Sequence, residues 1–280
     1  MSRTPLLRDQ TRLAVVHRQR VRRDGEADPA PAEPLVLPAP TQAAAAAGWQ
    51  ALLDTEYESV VIASWMTAAL TRLGAPLDLL GAFGKIVEDE LRHVDVCAQV
   101  VDQLGGRPTI VRGPLPPLPN ELARDSAGEF EMVASLLGFF CVFEFLSGLV
   151  FHDALARAQT PLAQWAVGEI YRDEAFHGAF GFEAARHFVP GYDEARREQL
   201  ARRVEAEVAR FGQRLAGRGA ADAPADELAA LERLGLLAPA ALLPIFERGV
   251  TTQLVPRLHD LGVPVVVGFA DAPPVTAPRR

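Results

Sequence analysis

The sequence predicts an all-α chain: a four-helix bundle with one long crossover, extra C-terminal helices and an extended N-terminal arm. Three observations carry this. Apolar residues recur every three or four positions over long segments, which is the period of one helix face. Gly and Pro, 22 of each in 280 residues, gather between those segments and so mark their ends. The stretch 105–120, GGRPTIVRGPLPPLPN, is too rich in Pro and Gly for a helix and long enough to cross a bundle.

Residues 1–44 read as the arm, extended or disordered, because Pro29, Pro31, Pro34, Pro38 and Pro40 interrupt any helix there. The bundle is expected over 45–190. Its first helix runs from about Thr41 to Leu73, with a stripe of Trp49, Leu53, Glu56, Val60, Ala63, Thr67 and Leu70, and stops at Gly74 and Pro76. A second helix, about Leu77 to Leu104, carries Phe83, Val87, Glu90, Val94, Cys97 and Val101 on its stripe and ends at Gly105-Gly106. The third spans roughly Glu121 to Ala158, with Val133, Leu137, Phe140, Glu144 and Phe151 in line. The fourth begins at Pro161 and ends near Phe188, with Val167, Ile170, Glu174, His177, Gly181 and Ala185 in line. Residues 191–280 add helices at about 193–216, 226–236 and 239–261, and a tail that can pack as a strap.

Met132 to Phe151 is a largely apolar run whose only charge is Glu144, and it has the length of a membrane span. A lone mid-span carboxylate is costly in lipid, whereas a helix apolar all round suits the centre of a bundle, so no membrane insertion is expected.

The chemistry lies in Asp89-Glu90-Leu91-Arg92-His93 and its echo Asp173-Glu174-Ala175-Phe176-His177. Glu at i and His at i+3 project from successive turns to one point, which suits a metal ion. Glu-x-x-His alone is a weak pattern. Here each copy follows an Asp, each sits on an apolar stripe, and the other two long helices each add one stripe Glu, Glu56 and Glu144. Without metal, four buried carboxylates would each cost several kcal/mol, and Lys85 is the only lysine in the chain. Two divalent ions remove that cost. Glu58 competes with Glu56, but Leu52 and Leu53 precede Glu56 by one turn where Asp54 and Thr55 precede Glu58.

Glu56, Glu90, His93, Glu144, Glu174 and His177, in the order Glu, Glu-x-x-His, Glu, Glu-x-x-His, resemble the ligand set of the ferritin-like di-iron carboxylate superfamily, over about residues 45–190. Asp89 to His93 is similar to the motif of acyl-carrier-protein desaturases and of the para-aminobenzoate N-oxygenase group. Ile170, where a further histidine would stand, departs from the latter. The resemblance implies two iron ions, Fe/Fe or Mn/Fe, held by those six residues. It also implies that Asp89 supports His177 and Asp173 supports His93. The implied activity is an O2-dependent oxidase or monooxygenase that hydroxylates, N-oxygenates or desaturates a small or carrier-tethered organic substrate. The alternatives are a ferritin- or rubrerythrin-like ferroxidase or peroxide scavenger, and a non-catalytic helical interaction protein. Cys97, Phe140 and Cys141 are candidate pocket residues, with ordinary core packing as the other reading of Cys97. Phe139, Phe140, Phe143, Phe145, Phe176 and Phe180 form either a substrate wall or plain core.

Charge bounds the partners. The net charge of -8 divides into +5 over residues 1–25 and -13 over the rest, and an acidic body argues against nucleic acid. No flavin or nicotinamide motif is present, so a separate electron-donor protein is expected. A homodimer is compatible with the pattern. Cys97 and Cys141, with no CxxC, are expected as free thiols, which together with the lack of an apolar leader points to the cytoplasm.

Overall fold

The computed structural model describes residues 3–5, 16, 37–111, 126–217 and 224–269. Helices dominate them: α1 (Ala39–Leu73), α2 (Leu77–Gln103), α3 (Ser126–Leu136), α4 (Phe145–Arg157), α5 (Pro161–Phe188), α6 (Glu194–Ala216), α7 (Ala225–Arg233), α8 (Pro239–Gly249) and α9 (Val255–Asp260). The all-α expectation holds for these residues, with one addition. Strands β1 (Arg3–Pro5) and β2 (Thr109–Val111) pair antiparallel, with Arg3 opposite Val111. The remainder of the N-terminal arm, residues 112–125 of the expected crossover and third helix, and residues 270–280 of the tail lie outside the described residues.

Helix ends follow local chemistry. Gly74 adopts φ 75°, and its N–H closes the last turn of α1 on the carbonyls of Leu70 and Thr71. Pro76 then starts a new element. The Asp193 carboxylate caps α6 by accepting from the Arg196 N–H at 2.8 Å.

Contacts divide the chain into two compact units. The first comprises residues 1–121, 154–170 and 223–236. There α1 and α2 pack along their length, burying Leu53, Ala63, Met66, Phe83, Ile86 and Val100. Fully buried Trp49 donates from Nε1 to the Leu234 carbonyl at 3.0 Å, so its polar edge is satisfied as its ring fills the core. Gly235, at φ 81°, lets the turn after α7 approach α5: a Cβ there would stand 2.7 Å from the Val167 side chain.

The second unit comprises residues 122–153, 171–222 and 237–280. Its spine is α3, a π-helical segment (Leu137–Glu144) and α4, continuous without a break. A second π segment (Val250–Leu254) joins α8 to α9. Phe139 and Phe143 stack at 5.1 Å, Phe143 meets Phe211 of α6 at 5.1 Å, and Phe211 meets Phe246 of α8 at 5.8 Å. These aromatics fasten the C-terminal helices to the spine. Phe176, by contrast, is 44% exposed, so it walls no enclosed space.

The tail packs as a strap over the part described. Val263 and Val265 are buried, and the Val266 N–H donates to Glu205 at 2.8 Å. Gly128–Arg157 is the described helical stretch long and apolar enough to span a bilayer, and 61% of its most apolar window is buried within the protein.

Candidate metal centre

A helix carries Glu and His three residues apart on one face, and packing decides whether that face meets other donors. In the first unit it does. His93 Nδ1 of α2 lies 3.3 Å from Glu56 Oε2 of α1 and 3.4 Å from Glu90 Oε2 of its own helix. All three side chains are buried, and their ligand atoms lie within 4.8 Å of one another. Glu58, two residues from Glu56, is exposed.

The second unit repeats the arrangement. His177 Nδ1 of α5 lies 3.5 Å from Glu144 Oε2 and 4.0 Å from Glu174 Oε1, again with all three buried. Glu144 is the last residue of the π segment. A π turn changes the facing of the residues that follow it and recurs at functional sites. Close approach of α5 to that segment depends on glycine. A Cβ at Gly181 would stand 2.7 Å from the Phe140 Cβ and 2.9 Å from its carbonyl carbon, and one at Gly178 would stand 3.0 Å from the Phe145 Cα.

The donor chemistry fits a divalent ion in each triad. Two carboxylates carry two negative charges and one imidazole offsets at most one, so a buried triad keeps net negative charge that a divalent cation neutralises. Nδ1 is the ring nitrogen aimed at the carboxylates in both histidines. Imidazole with carboxylate suits iron, zinc and manganese alike.

The neighbouring acids are buried too. Asp89 is bonded to Lys85 and to Arg92 of its own helix. Arg92 is thus a buried cation beside the first triad, which the helix stripes did not reveal. Asp173 is buried next to Glu174, and Glu169, absent from the sequence reading, is buried in the first unit. Cys97 and Cys141 are both free and fully buried. Burial pushes the Cys97 thiol well up, and the carboxylates of Glu56 and Glu90 raise it further. Burial likewise raises Cys141, against the opposing charges of Arg186 and Arg257. Both therefore stay protonated at neutral pH and are poor nucleophiles.

A cavity of about 550 Å³ lies within the second unit, and Glu174 is part of its wall. Phe145, Tyr171, Gly178, Arg248 and Arg257 also line it. Cys97, Phe140 and Cys141 are fully buried and are not among the residues that line this cavity.

No protein-family model and no curated protein matches this chain.

Proposed function

We propose that the protein is a non-haem di-iron oxidase or oxygenase with a ferritin-like bundle, in which each of the two triads holds one iron ion. The observation that carries this reading is that each unit buries a histidine against two glutamates, His93 with Glu56 and Glu90 and His177 with Glu144 and Glu174, and that the second set borders a cavity. A catalytic metal needs one side left open to reactants, and Glu174 stands where protein meets open space.

Glu56, Glu90 and His93 would hold one ion, and Glu144, Glu174 and His177 the other. Bound iron would supply the reductive activation of O2. The protein's own groups do the rest. Phe145 and Leu149 give one wall of the cavity an apolar surface against which the body of an organic substrate can lie. The cavity's size suits a small organic molecule, or the end of a carrier-tethered one, to be hydroxylated, N-oxygenated or desaturated. Electrons would come from a separate protein.

One observation favours a second reading. His152 and Asp153, 3.5 Å apart, line the same cavity and provide polar groups of the kind an entering cation uses. A ferroxidase or iron store would need such a route.

Stepwise Fe(II) loading followed by stopped-flow mixing with O2 separates the readings. Iron uptake should saturate at about two ions per chain, and the reduced site should oxidise in one turnover. The rate or spectrum should change when the organic substrate is bound. Uptake of tens of ions per chain with a mineral product would establish the store. A protein that retains no metal would be a non-catalytic helical module.

A further inference from the structure

We propose that the cavity beside Glu174 takes an organic carboxylate with an apolar body, its charged end held by Arg248 and Arg257. This deepens the oxidase reading and rests on it. The cavity has two kinds of wall. Phe145, Leu149 and Ile245 give it an apolar wall, while Ala175 and Ala179 line it on the exposed side of their helix. Arg248 and Arg257, with Gln253 between them in sequence, come from α8, the π segment and α9.

Among the described residues neither arginine forms an ion pair, although other arginines of the same unit do. Arg203 bonds to Glu131, Arg210 to Glu207 and Arg186 to Glu183. Arg257 is nevertheless held in place: its guanidinium lies 4.9 Å from the centre of the Phe145 ring and 5.4 Å from that of Phe182. A cation on an aromatic face keeps its charge and most of its N–H donors, so the group is oriented without being neutralised.

Charge balance selects the ligand. Asp153 and Glu174 on the same lining oppose a doubly charged group, whereas two arginines favour a single carboxylate, which a guanidinium fork matches in shape. With the carboxylate on the arginines, the apolar body has the rest of the cavity, including the wall at Glu174. Oxidation would then fall on the body and not on the acid.

Calorimetry on the anaerobic, iron-loaded protein with octanoate and with octanol tests this. Octanoate should bind at least about tenfold tighter than octanol, since a charge-assisted hydrogen bond is worth that factor or more. Arg248→Gln and Arg257→Gln should each weaken octanoate by about tenfold and leave octanol unchanged, while Arg257→Lys restores part of the loss. Unfolding temperatures of the same preparations guard against a folding defect in the glutamine variants, and the lysine variant retains the cation on the rings. No octanoate binding, equal binding of the alcohol, or arginine variants without effect would overturn the inference. Metal content and O2 consumption are measured on the same samples. A normal oxidase without carboxylate preference sinks this inference alone, whereas loss of metal sinks the oxidase reading.

Discussion

His93→Ala and His177→Ala are each expected to cut bound iron from about two ions per chain to one or fewer, and to slow O2 consumption by the reduced protein at least about a hundredfold. Each histidine is the only nitrogen donor of its triad, and each is completely buried, so no water replaces it cheaply. Loss of the ring leaves two carboxylates facing one another with no cation between them. Glu144→Ala should behave in the same way, because it removes the one donor that the π segment contributes. Glu58→Ala is the control. That carboxylate is exposed, and its loss should leave iron content unchanged. Full loading of the histidine variants would refute the ligand assignment.

Gly181→Val is expected to destabilise the protein by about 2–4 kcal/mol and to lower metal content along with it. Even the alanine Cβ would stand 2.7 Å from Phe140, whose backbone belongs to the π segment and cannot yield as a flexible side chain would. Valine adds two methyl groups to that clash. The shift should be visible as an unfolding midpoint lower by about 2–4 °C for each kcal/mol. Gly84→Ala makes the opposite case. A Cβ there meets nothing within 4 Å, so alanine should gain up to about 1 kcal/mol through helix propensity alone. Equal effects at the two glycines would show that close approach at Gly181 is not what matters.

The helices were legible because their signals are local. Gly74 and Pro76, Gly105-Gly106, and Pro161 fall at observed boundaries, and α2, α5 and α6 match the expected spans to within a residue or so. Facing was less well read. Val60, Thr67 and Val87 were placed on buried stripes and are only half-buried, whereas Met66 and Ile86 are fully buried in their place. A stripe drawn at one fixed spacing drifts from a real helix, whose buried face is set by what packs against it.

The six candidate ligands stood out because Glu and His at helical spacing lie among apolar residues, where buried carboxylates are costly. Their surroundings did not. Nothing in Leu137-Gly138-Phe139-Phe140 signals a π turn, because every residue in that run is apolar or glycine and any facing satisfies it. Arg92 lies off the apolar stripe, so nothing local marks it as a buried cation bonded to Asp89. Arg248 and Arg257 lie 71 and 80 residues beyond His177, so no local pattern links them to Glu174. The run of Phe pointed equally to a substrate wall or to packing. Phe139 and Phe143 turned out to hold α6 and α8.

The central claim is that Glu56, Glu90 and His93 hold one iron ion and Glu144, Glu174 and His177 another, and anaerobic Fe(II) titration of the metal-free protein followed by Mössbauer spectroscopy tests it most directly. The account predicts that binding stops at about two ions per chain and that the spectrum shows high-spin ferrous iron with oxygen and nitrogen donors. Protein that binds no iron, or a spectrum of adventitious aqueous or mineral iron alone, would contradict it.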